Sequence, residues 1–342
     1  MKILITGTAG FIGFHLANAL AESGNEVVGI DDINDYYAVQ LKFDRLKNAG
    51  FNRNDLKDGV FAVSKRFPSY RFMKIDLAEQ MKLKTLFETE KFDVVCNLAA
   101  QAGVRYSLEN PAAYIQSNVV GFTNILENCR HFNVGRLIYA SSSSVYGQTD
   151  KVPFAEDNCV DKPESVYAAT KRSGELLAYT YSKLFHLPTV GLRFFTVYGP
   201  WGRPDMAPIL FMKSILQGKT IRVFNHGNME RDFTFIDDII EGLRKVIALD
   251  FKDEEIPYRI YNIGNSSPVK LMDFIHVIEQ TVEKKAEMKF EGMQPGDVVR
   301  TFADTSRFEK DFNFKPSTAI ADGIKSLYAW YKDYTESENK SL

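Results

Sequence analysis

The chain is poor in the residues that most readily betray a small scaffold or a metal centre. Of its 342 residues only Cys96, Cys129 and Cys159 are cysteines. An odd, widely spaced set excludes a disulfide framework and a clustered thiolate site, and predicts reduced thiols with two of the three packed inside. His15, His131, His186, His226 and His276 show no metal-ligand spacing, so no metal is expected. Positive charge is not in excess: 42 Lys and Arg against 44 Asp and Glu leave a formal charge of −2. Without a net positive field, a nucleic-acid polymer is not the expected partner. No apolar run approaches the roughly 20 residues of a membrane span. No cleavage-like signal follows MKILITGTAG at the start. The expectation is a cytoplasmic chain with no membrane partner. Repeats and low-complexity linkers are also missing. What remains, at 45% hydrophobic and 25% charged residues, is a globular composition long enough for one large domain or two.

Rhythm carries the organisation. Short apolar runs at Lys2–Thr6, Glu26–Asp31, Arg71–Ile75, Val94–Leu98, Arg136–Ser141 and Thr189–Phe194 predict buried strands. Helix-length amphipathic stretches lie among them, at Phe11–Ser23, Ala78–Thr89, Pro111–Asn133 and Val166–Phe185. Such alternation predicts crossovers onto a doubly wound, parallel α/β sheet of Rossmann type with helices on both faces. Past Gly199 the rhythm loosens into a loop with Pro200, Pro204 and Pro208, then shorter elements. Helices are expected near 207–217, 236–249, 271–283 and 319–334, with strands at 221–224 and 258–263. The predicted division is therefore 1–195 for the sheet domain and 196–342 mainly for a smaller α/β lobe, with some lobe segments returning to the first sheet.

Thr6-Gly7-Thr8-Ala9-Gly10-Phe11-Ile12-Gly13 follows the first strand and opens the first helix. Bare backbone at a helix N-terminus lets a pyrophosphate approach the orphan amides and the positive end of the dipole. Gly7 suits the tight turn, Gly10 the approach and Gly13 close helix-to-strand packing. Eighteen residues beyond Gly13, Asp31 ends the second strand beside Asp32. A carboxylate there accepts from ribose hydroxyls and repels a 2′-phosphate, which favours NAD over NADP. Asp76 and Leu98-Ala99-Ala100 sit at the same carboxyl edge, after the third and fourth strands.

Tyr167 and Lys171, four apart on one predicted helix, share a face. The hydroxyl-rich loop Ser141-Ser142-Ser143-Ser144-Val145-Tyr146-Gly147 follows the fifth strand. A phenol is a poor base at neutral pH, and an adjacent ammonium together with a cationic nicotinamide favours the phenolate. Ser142 is placed to hydrogen-bond a reacting hydroxyl. Together they supply a base, a cation that tunes it and an orienting group.

On TGTAGFIG at 6–13, SSSSVYG at 141–147, Tyr167-x-x-x-Lys171, RFFTVYGP at 193–200 and RDFTFIDD at 231–238, the chain resembles the extended short-chain dehydrogenase/reductases, in particular the nucleotide-sugar epimerases. Three further segments, AAQAGVRYSLENP at 99–111, GRPDMA at 202–207 and QPGDV at 294–298, resemble the branch acting on UDP-glucuronate and UDP-galacturonate. The resemblance implies a catalytic set of Ser142, Tyr167 and Lys171. It implies an NAD site of Gly7, Gly10, Phe11, Ile12, Gly13, Asp31, Asp32, Asp76, Leu77, Leu98, Ala99, Ala100, Tyr167 and Lys171. Substrate contacts would come from Ser142, Ser143, Ser144, Tyr167, Thr196, Arg203, Arg231 and Asp297. Arg231 is implied to hold the diphosphate and Asp297 to lie near the nucleoside, while Gln294 stands where galactose-type relatives often carry arginine. A homodimer through the 111–133 and 166–185 helices is also implied.

Serine at 143 and 144, where dehydratases carry an Asp-Glu pair and decarboxylases a glutamate, disfavours both sister reactions. A 4-keto uronate has its carboxylate β to the ketone and loses carbon dioxide when the breaking bond aligns with the carbonyl π system. An epimerase must hold the carboxylate out of that alignment. Ser143, Ser144 and Thr196 offer hydroxyls for this, and Arg203 a planar fork. The competing readings are a UDP-glucose or UDP-N-acetylhexosamine 4-epimerase, a UDP-glucuronate decarboxylase, and a silent NAD-binding regulator.

Overall fold

The computed structural model describes residues 1–149, 151–251, 254–294 and 296–336. Pro295 of the QPGDV segment and residues 337–342 of the expected lobe lie outside them. Among the described residues thirteen strands form three sheets. They are β1 (Lys2–Thr6), β2 (Glu26–Asp31), β3 (Phe61–Val63), β4 (Tyr70–Lys74), β5 (Val94–Asn97), β6 (Arg136–Ser142), β7 (Thr189–Phe194), β8 (Thr196–Tyr198), β9 (Ile221–Val223), β10 (Glu230–Phe235), β11 (Tyr258–Ile263), β12 (Pro268–Lys270) and β13 (Met288–Phe290).

The large sheet runs β11-β7-β6-β5-β1-β2-β4-β3, parallel except where β3 lies antiparallel on β4. Its strands read as mostly apolar runs because both faces are covered. Along β1, Ile3 and Ile5 pack with Leu16, Leu20, Ile239 and Leu243. Leu4, pointing the other way, packs with Leu83, Phe87, Ile125 and Ala178. Cys96 and Cys129 are buried in these layers and Cys159 is exposed. The chain moves outward from β1 through β2 to β4, then restarts at β5 on the opposite side of β1. Between β5 and β1 the crossovers diverge, which opens a crevice at the carboxyl ends of the strands.

The remaining strands form β12-β10-β8 and β13-β9, the smaller sheets of the C-terminal region. β11 does not stay with them: it pairs along its whole length with β7, Tyr258 opposite Thr189 through Ile263 opposite Phe194. Two departures from the sequence expectation bear on the cleft. Val39–Asn48 is a helix that periodicity does not reveal, because its buried positions include Lys42, Asp44 and Arg45. Pro111–Asn133 is not one α-helix: Pro111–Tyr114 and Phe122–His131 flank a π-helical segment, Ile115–Gly121. The wider turn brings Asn118 inward, where its side chain pairs with both backbone groups of Gln101 and donates to Thr170 Oγ1 at 3.0 Å. No helix of the described residues is long and apolar enough to cross a membrane.

Candidate active site

At the end of β1 the chain turns through Gly7, whose φ is +78° and whose amide donates to Ile30 O at 2.7 Å. A Cβ at Gly7 would meet Ala99 N at 2.9 Å, and one at Gly13 would meet Gly7 O at 2.2 Å, so the turn, the helix and the loop after β5 close on one another only through glycine. The helix Phe11–Glu22 starts from Gly10 with no side-chain cap and no acid in its first turn. Its first amides are left for an anion. Asp31, at the end of β2, is buried and braces the same turn: Oδ2 accepts from Ala9 N at 3.0 Å and Oδ1 from Ile33 N at 2.8 Å. Burial pushes its pKa up, with the Lys42 ammonium opposing that shift. Uncapped amides, a backbone cradle that a Cβ would fill and a carboxylate at the ribose end are the features NAD requires, and the residues present fit it.

Tyr167 and Lys171 project from the first turns of the helix Val166–Phe185, whose N-cap Ser165 accepts from Ala168 N. Lys171 Nζ donates to Ala140 O at 2.7 Å and lies 5.9 Å from the centre of the Tyr167 ring. Burial brings the Lys171 pKa down to about 8. Enclosure raises that of Tyr167, against the Ser142 hydroxyl and the Arg203 guanidinium, which lower it. Ser142 closes β6, donating to Ser144 Oγ at 3.1 Å and accepting from Ser144 N at 3.2 Å. One turn past Lys171, the buried Glu175 accepts from Ser141 Oγ at 2.6 Å and from Arg193 Nε at 2.8 Å. Burial opposes the ionisation of Glu175, but Arg193 and Ser141 outweigh it and hold its carboxyl below the ordinary range. This ion pair fixes the helix against β6 and β7.

A single cleft of about 960 Å³ joins the two ends. Gly7, Gly10, Phe11, Ile12, Gly13, Asp31, Asp32, Asp76, Leu77, Leu98, Ala99 and Ala100 line its nucleotide half. Ser142, Ser143, Ser144, Tyr167 and Lys171 line the middle, and Thr196, Arg203, Arg231 and Asp297 the rest. Arg231 Nη1 is steadied by the carbonyls of Glu230 at 2.9 Å and Val299 at 3.2 Å. Arg105, on the loop after β5, reaches Asp297 Oδ2 at 3.3 Å and lies over the Phe224 ring. Arg300 does not line the cleft; its Nε pairs with Glu230 Oε2 at 2.6 Å.

Arg203 is the residue whose surroundings the sequence least foretells. Its Nε and Nη2 contact the two oxygens of Asp205 at 3.1 and 2.5 Å, so one edge of the fork is occupied. Nη1 takes no part in that pairing, and the guanidinium lies 5.6 Å from the centre of the Tyr36 ring. Tyr36, from the loop after β2, donates to Asp205 Oδ2 at 3.1 Å. Behind the loop, Arg45 is fully buried and donates to the carbonyls of Ala9, Trp201 and Gly202. Asp205 had a signal, its place two residues after Arg203 in GRPDMA. Tyr36 and Arg45 had none, since a tyrosine in a loop and an arginine on an amphipathic stretch read as surface.

The model of the NAD dependent epimerase/dehydratase family matches residues 3–264. Protein CapI of Staphylococcus aureus is 50% identical, the match spanning 98% of this chain and 99% of that protein. UDP-glucuronate 4-epimerase 2 of Arabidopsis thaliana is 42% identical over 100% of this chain and 78% of its own length. The crystal structure of UDP-glucuronic acid 4-epimerase from Bacillus cereus, in complex with UDP-glucuronic acid and NAD, matches with a TM-score of 0.86 at 34% identity, covering 98% of this chain and 100% of that one.

Proposed function

The chain belongs to the NAD dependent epimerase/dehydratase family, and from that premise we propose that it interconverts UDP-glucuronate and UDP-galacturonate by inverting C4 of the sugar through a transient 4-keto intermediate. The observation that carries the reading is the single cleft in which Tyr167, Lys171 and Ser142 meet Arg203, Thr196, Ser143 and Ser144 beside the glycine turn.

In this reading the Tyr167 oxygen takes the proton of the C4 hydroxyl and later returns it. The glycine turn, the first amides of Phe11–Glu22 and Asp31 would hold NAD, which would supply reversible hydride transfer at C4. Lys171, tied to Ala140 O, keeps a positive charge beside the phenol and favours its ionised form. Ser142 directs the hydroxyl toward Tyr167. Arg231 anchors the diphosphate, with Asp297 at the nucleoside end, so that the sugar swings while UDP stays. Ser143, Ser144, Thr196 and the Nη1 end of Arg203 receive the carboxylate and turn it away from alignment with the ketone. Positions 143 and 144 carry no acid or base to promote elimination.

The same reading makes the protein a homodimer. In its support, Ile115, Val120, Leu176, Tyr179 and Leu184 are exposed on the helical segments of 111–133 and on Val166–Phe185. Light scattering that gives a monomer at micromolar concentration removes the dimer. An NMR time course with UDP-glucuronate, UDP-glucose and UDP-N-acetylglucosamine tests the activity. Galacturonate signals from the first substrate alone are expected; conversion confined to either neutral sugar overturns the assignment.

A further inference from the structure

We propose that Asp205 is a positioning residue that sets how strongly Arg203 holds the sugar carboxylate, and so governs uronate turnover. The inference rests on the reading above. Asp205 takes the Nε–Nη2 edge of Arg203 with both oxygens, at 3.1 and 2.5 Å. Its own position is fixed from the nucleotide side by the Tyr36 hydroxyl at 3.1 Å. The peptide before the arginine is held as well, because Arg45 donates to Trp201 O and Gly202 O. Arg203 therefore offers the cleft a fixed Nη1 donor whose positive charge is already balanced by a carboxylate.

The reaction explains why balance matters. The 4-keto sugar must turn over between the two half-reactions, so its carboxylate has to leave one set of donors and meet another. An unbalanced guanidinium would stabilise the bound uronate without stabilising the turning, lowering KM at the expense of kcat. Balanced by Asp205, the same group orients the carboxylate and lets it go. A neutral hexose presents no charge to Arg203, so the effect belongs to uronates.

Asp205→Asn removes the charge and keeps the shape and one acceptor. Steady-state kinetics with UDP-glucuronate should show KM falling about 3- to 10-fold and kcat falling by at least as much, the size expected for one partly exposed charge. Calorimetric affinity for UDP alone should not move, which reports an intact fold and diphosphate site. A KM that stays level or rises overturns the proposal. The double variant Arg203→Met with Asp205→Asn, compared with Arg203→Met, gives a second reading that does not leave a lone buried cation. No further change in KM is expected there, and a change equal to that in the wild-type background overturns action through Arg203. If the wild-type protein leaves UDP-glucuronate unconverted, the functional reading itself fails. If it converts UDP-glucuronate and Asp205→Asn behaves like wild type, only the role of Asp205 fails.

Discussion

Arg45 Nη2 donates to the carbonyl of Trp201 at 2.7 Å and to that of Gly202 at 3.1 Å, while Nη1 of the same side chain donates to Ala9 O at 2.9 Å. One buried guanidinium thus ties the glycine turn to the peptide that carries Arg203. Arg45→Met should leave these carbonyls unpaired and cost about 3 kcal/mol or more in urea unfolding. Co-purified NAD should fall with it. Arg45→Lys should restore little, because a single ammonium cannot span three acceptors. A midpoint within experimental error of wild type contradicts the assignment.

Tyr167→Phe keeps the ring that meets Tyr114 at 6.0 Å and deletes only the phenolic oxygen. Turnover should fall by about 100-fold or more, the usual scale for a positioned acid–base group. The affinity for UDP-glucuronate and the NAD content should hold. Retained kcat removes Tyr167 from the base role.

Arg203→Ala takes away the charged donor and leaves Asp205 facing the cleft. KM for UDP-glucuronate should rise about tenfold or more, and pentose by-product should become detectable as the carboxylate regains its freedom. UDP affinity, which the proposed reading assigns to Arg231, should be unaffected. If KM and pentose both stay at wild-type levels, the carboxylate is held elsewhere.

Lys171 supplies a pH signature. Burial has lowered its pKa to about 8, so the ammonium beside Tyr167 is lost as pH climbs past that value. Activity should show an alkaline limb there that Lys171→Met, already impaired, lacks. Stability should move the other way. Between about 8 and the ordinary lysine value the unfolded chain binds a proton that the folded chain does not, so this group makes the fold more stable as pH rises through the window. Parallel kcat and thermal-melting profiles check both signs.

The parts of this architecture that the sequence discloses are those where chemistry and periodicity coincide. β1, β5 and β7 are legible because a strand buried on both faces is mostly apolar along its length. The glycine turn is legible because its spacing is local, and Tyr167 with Lys171 because one helix places them. Val39–Asn48 is not, since Lys42 and Arg45, at 3% and 0% exposure, are side chains normally assigned to solvent. Strands as short as Thr196–Tyr198 and Pro268–Lys270 contain too few residues to show a period. The pairing of Tyr36 with Asp205 joins loops 169 positions apart, and no local pattern announces it. Nor does any residue type mark the π turn at Ile115–Gly121, which changes the phase of a helix and not its composition.

The return of β11 to β7 bears on how the molecule can be taken apart. A fragment ending at Phe195 would contain the glycine turn, Tyr167 and Lys171, and by sequence it would look like a complete nucleotide-binding unit. Yet β7, buried along all six of its residues, would become an uncovered edge with a row of unpaired amides and carbonyls. Such a fragment is a template for strand addition from another chain and should precipitate on expression. The C-terminal region thus supplies the strand that covers β7, and deleting it would expose the very strand that leads into the segment carrying Thr196 and Arg203.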